Sequence, residues 1–236
     1  MLKKFLSMFS NNLAGLADKN KNYKQVNIMG RLISSFSKAK LICLVLGLYI
    51  LYMSTGEMIT SIKPIKSFED VANGEVKPGD RVSGNVIYAL DYFAAEQTWK
   101  EGNGSRTPKK DSSYYYLIPG NDSFAALQVF VRDSDAMRAL VDETYAYMFE
   151  NGPEPTAEMP FTGKAVKMES EYAELVKYFK EEITAYGYSE QEIAAMGDPI
   201  LIIPRAFGAV RIMFGIGLVL VLLVVLLVVR DYRRFA

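Results

Sequence analysis

The 236-residue sequence contains no histidine and a single cysteine, Cys43. Without an imidazole, Ser/His and Cys/His catalytic arrangements, His-bearing zinc sites and imidazole haem ligation are excluded, because each needs a ring nitrogen near neutral pH. One thiol permits no internal disulfide and no thiol pair for a metal. The Asp-x-Asp-x-Asp-Gly loop of a calcium site, a phosphate-cradling glycine loop and a nucleic-acid recognition motif are missing as well. The residues therefore predict no cofactor, no metal and no nucleic-acid partner. An excess of either charge is also lacking, since 27 Lys/Arg balance 27 Asp/Glu. The balance hides a polarised distribution. Residues 1–40 carry eight Lys/Arg against Asp18, whereas residues 54–207 carry fifteen against twenty-five Asp/Glu.

What is present in quantity is apolar sequence. Residues 212–229, IMFGIGLVLVLLVVLLVV, form an eighteen-residue run without charge, which at about 1.5 Å per helical residue covers nearly the hydrocarbon thickness of a bilayer. Arg211 precedes the run, and Arg230, Arg233 and Arg234 follow it. A shorter run, residues 41–53, is extended by the small residues Ser54, Thr55 and Gly56 and by Met58, Ile59 and Ile62 past the acid Glu57. Two transmembrane helices are expected, at 39–60 and 208–229, the first an uncleaved anchor. Lys38 and Lys40 before the first span and the arginines after the second place both ends in the cytoplasm by the bias of cations toward that side. The expected organisation is a basic cytoplasmic segment (1–38), the first span (39–60), an extracytoplasmic domain (61–207), the second span (208–229) and a cytoplasmic tail (230–236). In residues 1–16, Leu2, Phe5, Leu6, Phe9, Leu13 and Leu16 recur at helix-like spacing beside Lys3 and Lys4, a pattern that suits an anionic membrane face. Gly47 in the first span and Gly215 and Gly217 in the second would let helices approach closely, within one chain or between copies.

Between the spans the pattern is α+β. After a connector (61–73), the turn Lys77-Pro78-Gly79-Asp80 leads into an alternating run, Val82, Gly84, Val86, Tyr88 and Leu90, read as one long strand bent at Gly84. Residues 114–118 and 124–131, joined by Pro119-Gly120-Asn121-Asp122, read as a hairpin. A helix capped by Asp133 or Ser134 would bury Met137, Leu140, Val141, Tyr145 and Met148 and stop at Asn151-Gly152-Pro153. A strand at 161–168 follows, then a helix capped by Ser170 with Tyr172, Leu175, Val176, Phe179 and Ile183 inward, a short helix with the Ser189/Glu192 capping box, and a last strand at 200–203. This order matches a five-stranded OB-like barrel with helical insertions, and equally a short mixed sheet with helices on one face.

Aromatic side chains are the main candidate for binding chemistry. Tyr88, Tyr92, Trp99, Tyr114 and Tyr116 are candidate ligand-stacking residues, although Tyr114, Tyr115 and Tyr116 alternate between sheet faces, which sends one or two of them to the core. The acids of the second helix, Glu169, Glu171, Glu174, Glu181 and Glu182, interleave with Lys177 and Lys180 and read as a solvated face.

The motifs KPGDRVSGNVIYA and PFTGKAVKM, set between two spans, resemble uncharacterised two-span bacterial membrane proteins of the Firmicutes type. The resemblance covers the layout and these two motifs and implies no activity, cofactor or site residue. The function expected from the residues is a membrane-anchored, non-catalytic binding or accessory module whose partners are the lipid bilayer and a membrane protein, an envelope ligand or further copies of itself. The alternative is a membrane-anchored hydrolase using paired carboxylates or Ser/Lys chemistry, with Ser112, Ser113, Lys109 and Lys110 as its concentrated candidates.

Overall fold

A computed structural model describes residues 37–99, 101–102, 105–106, 109–168 and 172–234. The apolar pattern read at 1–16 and the proposed Ser170 cap with Glu169 and Glu171 lie outside the described residues. In chain order the elements are α1 (Lys38–Ile62), β1 (Ile65–Lys66), α2 (Phe68–Ala72), β2 (Arg81–Asn85), β3 (Tyr92–Thr98), β4 (Glu101–Gly102), β5 (Ser105–Arg106), β6 (Lys110–Pro119) and β7 (Phe124–Phe130). There follow α3 (Ser134–Phe149), β8 (Pro160–Lys167), α4 (Ala173–Ala185), α5 (Glu190–Ala195), β9 (Ile200–Pro204) and α6 (Phe207–Arg234). Among the described residues they form two compact units, residues 56–210 and residues 37–55 with 211–234.

The second of these units contains most of α1 and α6, both long and apolar enough to cross a membrane. Leu41, Ile42, Val45, Tyr49, Ile212, Ile216, Val219 and Leu226 are among the exposed residues of these helices, an apolar surface that water does not suit. Two hydroxyls of α1 are satisfied inside the helix: Ser54 Oγ donates to the Ile50 carbonyl and Thr55 Oγ1 to the Leu51 carbonyl, each at 2.6 Å, as suits a helix in lipid. Gly47 and Gly217 face one another. A Cβ on Gly47 would lie 3.2 Å from the Gly217 carbonyl oxygen and 3.0 Å from Val221, whereas one on Gly215 would meet nothing within 4 Å. Close approach of the two helices within one chain therefore accounts for Gly47 and Gly217.

The unit of residues 56–210 is built on a seven-stranded sheet of order β1-β2-β8-β9-β7-β6-β3, in which β1/β2 and β7/β9 are parallel and the remaining neighbours antiparallel. The sheet is open, with β1 and β3 at its edges, and this overturns the expected OB-like barrel. The reason lies in burial on both faces. Tyr116, Ile118, Leu127, Val129 and Ile202 pack with Phe68 and Val71 of α2 and Met137, Leu140 and Val141 of α3. Their neighbours Tyr115, Leu117, Ala126 and Leu201 pack with Leu175, Phe179 and Ile183 of α4 and Ile193 of α5. A small barrel has one interior, whereas a sheet with helices against both faces stays open. Each large side chain taken fully from water contributes roughly 1.5–3 kcal/mol, and both cores draw on the strands β6, β7 and β9.

The single strand expected over 82–90 is broken. Gly84 adopts a φ of +147°, open to residues without a Cβ, and the chain leaves the sheet after Asn85. Residues 86–91 hold their place through isolated bonds, Val86 N–H to the Met159 carbonyl at 2.9 Å, Ala89 N–H to Thr144 Oγ1 at 3.3 Å and Leu90 N–H to the Leu117 carbonyl at 2.8 Å. Pairing resumes as β3 on the far edge, with Tyr92 opposite Tyr116. In α3 the expected face is correct for Met137, Leu140 and Val141, but Thr144 completes it, while Tyr145 and Met148 are 49% and 40% exposed. The stretch read as a connector contains α2, closed by a reciprocal capping box between Ser67 and Asp70. The Ser189/Glu192 box forms at the start of α5 as the spacing predicts.

Candidate functional site

Three of the five candidate stacking residues come together. Tyr92 and Tyr116 are cross-strand partners and Tyr114 lies opposite Ala95, so their rings share the sheet face that α3 covers. Ring centroids are 5.0 Å apart for Tyr92–Tyr114, 6.0 Å for Tyr92–Tyr116 and 6.5 Å for Tyr114–Tyr116. With Asp91, Arg138, Val141 and Asp142 they line a cleft of about 100 Å³. Sites that enclose drug-sized ligands run to roughly 300–1,000 Å³, so this cleft accommodates a single side chain rather than a sugar ring with its substituents. Tyr116 is buried, and burial pushes its phenol up to about 12. The Tyr114 hydroxyl donates to Asp111 Oδ2 at 2.9 Å, and that bond is the first cause of its raised pKa.

The other two candidates lie elsewhere. Tyr88 stacks on Tyr147 with centroids 5.8 Å apart and planes 9° from parallel, and its hydroxyl donates to Glu154 at 3.3 Å. Trp99 has the Lys109 ammonium 5.5 Å from its ring centroid, in cation–π range. Tyr115 points to the opposite face, as strand alternation requires; burial pushes it up to about 12, and its hydroxyl accepts from Gln128 Nε2 at 3.2 Å.

The serine and lysine candidates do not assemble. Ser113 is fully buried and donates to Glu96 Oε2 at 2.7 Å, with Gln128 Nε2 3.1 Å from both. The Ser112 hydroxyl donates to the Glu96 carbonyl at 3.1 Å. Among the described residues no hydrogen bond joins either serine to Lys109 or Lys110, so a lysine is not placed to take a serine proton. Among the described residues, too, no group of three or more Asp, Glu, His or Cys is placed to hold a metal ion.

Two further clusters have no counterpart among the candidates read from the sequence. The first is aromatic and lies where α3 and α4 end. Tyr145 and Phe149 have centroids 4.9 Å apart, Phe149 and Tyr186 stack at 6.2 Å and 15°, and Tyr145 and Phe149 are about half exposed. The Tyr186 phenol meets the backbone of Asp91, and its pKa is raised by burial, then by the Glu182 and Asp91 carboxylates. Glu182 is itself raised, first by burial and then by Asp91. The signal in the sequence is the crowding of Tyr145, Tyr147, Met148 and Phe149 into one helical turn, more apolar surface than one core-facing stripe can bury.

The second cluster is charged and gathers residues distant in sequence. Lys164 Nζ donates to Glu57 Oε1 at 3.0 Å, and Arg205 Nε lies 4.0 Å from Glu57 Oε2. Arg81 donates to the Ser61 carbonyl at 3.3 Å, and its guanidinium stands 5.1 Å from the centroid of the Phe207 ring. Glu57 Oε2 and Arg81 Nε are buried without a hydrogen-bond partner. Three cations gather with one carboxylate at the end of the sheet where residues 56–62 and 205–207 join it, an arrangement that fixes these joins to β2 and β8.

A family model matches residues 28–230, which takes in α1, the sheet domain and α6 as far as Arg230. The chain belongs to the family described as Domain of unknown function (DUF8577). No curated protein and no solved structure matches it. Residues 28–36 of the family match lie outside the described residues.

Proposed function

We propose that this DUF8577 chain is a membrane-anchored, non-catalytic binding module of a bacterial cell membrane, with residues 61–207 outside and both ends in the cytoplasm. Its domain engages a protein partner, and the two anchors hold it beside a membrane complex. The observation that carries this reading is the half-exposed aromatic surface of Tyr145 and Phe149 against Tyr186. Large rings held rigidly at a surface supply contact area at little entropic cost, and aromatic residues with Met are enriched where proteins meet. The small volume of the tyrosine cleft and the separation of serine from lysine favour binding over turnover. Lys38 and Lys40 before the apolar run of α1 and Arg230, Arg233 and Arg234 at the end of α6 support the orientation. The likeness of KPGDRVSGNVIYA and PFTGKAVKM to two-span Firmicutes-type proteins supports the host.

Purification of the tagged full-length protein from its host in mild detergent, with mass spectrometry of what accompanies it, tests the proposal. A stoichiometric membrane partner lost when Phe149 is changed to Ser is the expected result. Isolation alone, at monomer or homo-oligomer mass, counts against a hetero-partner.

A further inference from the structure

The aromatic surface coincides with a concentration of negative charge that Arg138 adjoins on the Asp91 side. Asp91 and Glu182 flank Tyr186, and among the described residues neither carboxylate has an ion pair or a side-chain hydrogen bond. Arg138 lines the adjoining tyrosine cleft together with Asp91 and Asp142. Two helices also finish here: Phe149 is the last residue of α3 and Tyr186 is the C-cap of α4. A helix C-terminus carries about half a negative charge on its free carbonyls, and α3 has no basic residue in its last turn, nor has α4. Ring faces add negative quadrupole potential. Two carboxylates, two helix ends and three rings therefore act with one sign.

We propose that Tyr145, Phe149 and Tyr186, with Asp91 and Glu182, form a seat for the cationic side chain of an arginine or lysine on an exposed basic segment of a protein partner. This rests on the reading of the domain as a binding module and names the chemistry of its partner. The guanidinium or ammonium packs over the Phe149 and Tyr145 rings, its N–H groups donating to the Asp91 and Glu182 carboxylates. A partner segment of this charge is complementary to the acidic domain, in which twenty-five Asp/Glu oppose fifteen Lys/Arg over residues 54–207. Complementary charge steers such an encounter and makes it sensitive to salt.

The test titrates the full-length protein in maltoside detergent with a fluorescein-labelled peptide of arginines spaced by glycines, read by anisotropy, with a glycine-serine peptide as control. Saturable, salt-sensitive binding is expected for the basic peptide only. Asp91→Asn with Glu182→Gln should weaken it roughly tenfold, and Phe149→Leu, which keeps the site apolar, about fivefold. Melting temperatures of the variants are measured alongside, so that loss of the fold is not mistaken for loss of the seat. Absence of saturable binding, or variants within twofold of the parent, overturns the proposal. Tetramethylammonium that binds the seat as tightly as the peptide overturns the assignment to a protein segment and makes the ligand a small organic cation. A partner that co-purifies with the Asp91→Asn, Glu182→Gln variant as with the parent would leave the binding-module reading standing and remove the cation seat. Failure of any partner to accompany the parent protein would strike the broader reading, whatever the peptide does.

Discussion

Glu143 shows how one side chain fixes a segment that has no regular structure. Its Oε2 accepts from the backbone N–H of Thr156 at 2.5 Å and of Ala157 at 2.9 Å, and from the Thr156 hydroxyl at 3.3 Å. The two backbone donors are the leading causes that hold its pKa below the usual 4.5. A carboxyl depressed in the folded state contributes stability that is fully present above its unfolded value and lost as pH falls through the folded value. The melting temperature of the parent should therefore fall as pH drops below about 4.5, and Glu143→Gln, which has no charge to titrate, should show a shallower decline. Equal slopes for the two proteins would mean that other carboxyls govern the acid limb. At this scale the sequence discloses directions better than partners. Period-two alternation by itself separates Tyr115 from Tyr114 and Tyr116, and the rings do lie on opposite faces. The stacking of Tyr88 on Tyr147 joins an irregular segment to a distant helix, and nothing local in the chain encodes that pairing. Helical spacing predicts Tyr145 and Met148 inward, yet both are exposed, because spacing reports the angle around a helix but not whether the sheet beneath extends that far.

Among the elements, α3 illustrates how a helix stabilises a neighbour that lacks its own ladder. Thr144 is fully buried, and its Oγ1 is the acceptor for Ala89 N–H at 3.3 Å, midway along the segment that replaces the expected strand. Thr144→Val preserves shape and removes the acceptor, leaving a buried N–H unsatisfied at a cost of about 1–3 kcal/mol. Denaturant unfolding followed by tryptophan fluorescence or circular dichroism should register that loss, whereas a value near zero would assign Thr144 to packing alone. The broken strand is illegible in the sequence because period-two alternation in Val82, Gly84, Val86, Tyr88 and Leu90 states which way side chains point, not whether a neighbouring strand is there to pair. The capping boxes mark the other extreme. Ser189/Glu192 is readable since the hydroxyl and carboxylate act within one turn, and the same chemistry at Ser67/Asp70 is hidden because α2 is five residues long and offers no period to measure. Openness of the sheet belongs between these cases: the nearly continuous apolar runs of β7 and β9 carry the signature of burial on both faces, but element order alone does not assign the edges.

For the molecule as a whole, the proposed orientation rests on charge at the ends of the apolar helices. Lys40 pairs with Asp231, joining the basic start of α1 to the basic end of α6. The proposed orientation assigns both of these basic ends to one side of the bilayer and residues 61–207 to the other. Cationic flanks favour the cytoplasmic side for the ends, whereas a long domain translocates regardless of its own charge, so its acidity does not decide the matter. Cysteine labelling separates the alternatives, because Cys43 can be changed to Ser to give a background without thiols. Asp122→Cys, exposed in the turn between β6 and β7, should react with a membrane-impermeant maleimide on intact cells, and Arg233→Cys only after lysis. The reverse pattern would place the domain in the cytoplasm. The aromatic surface and its surrounding carboxylates would then face cytoplasmic proteins, and the arginines at the end of α6 would need a reason other than topology.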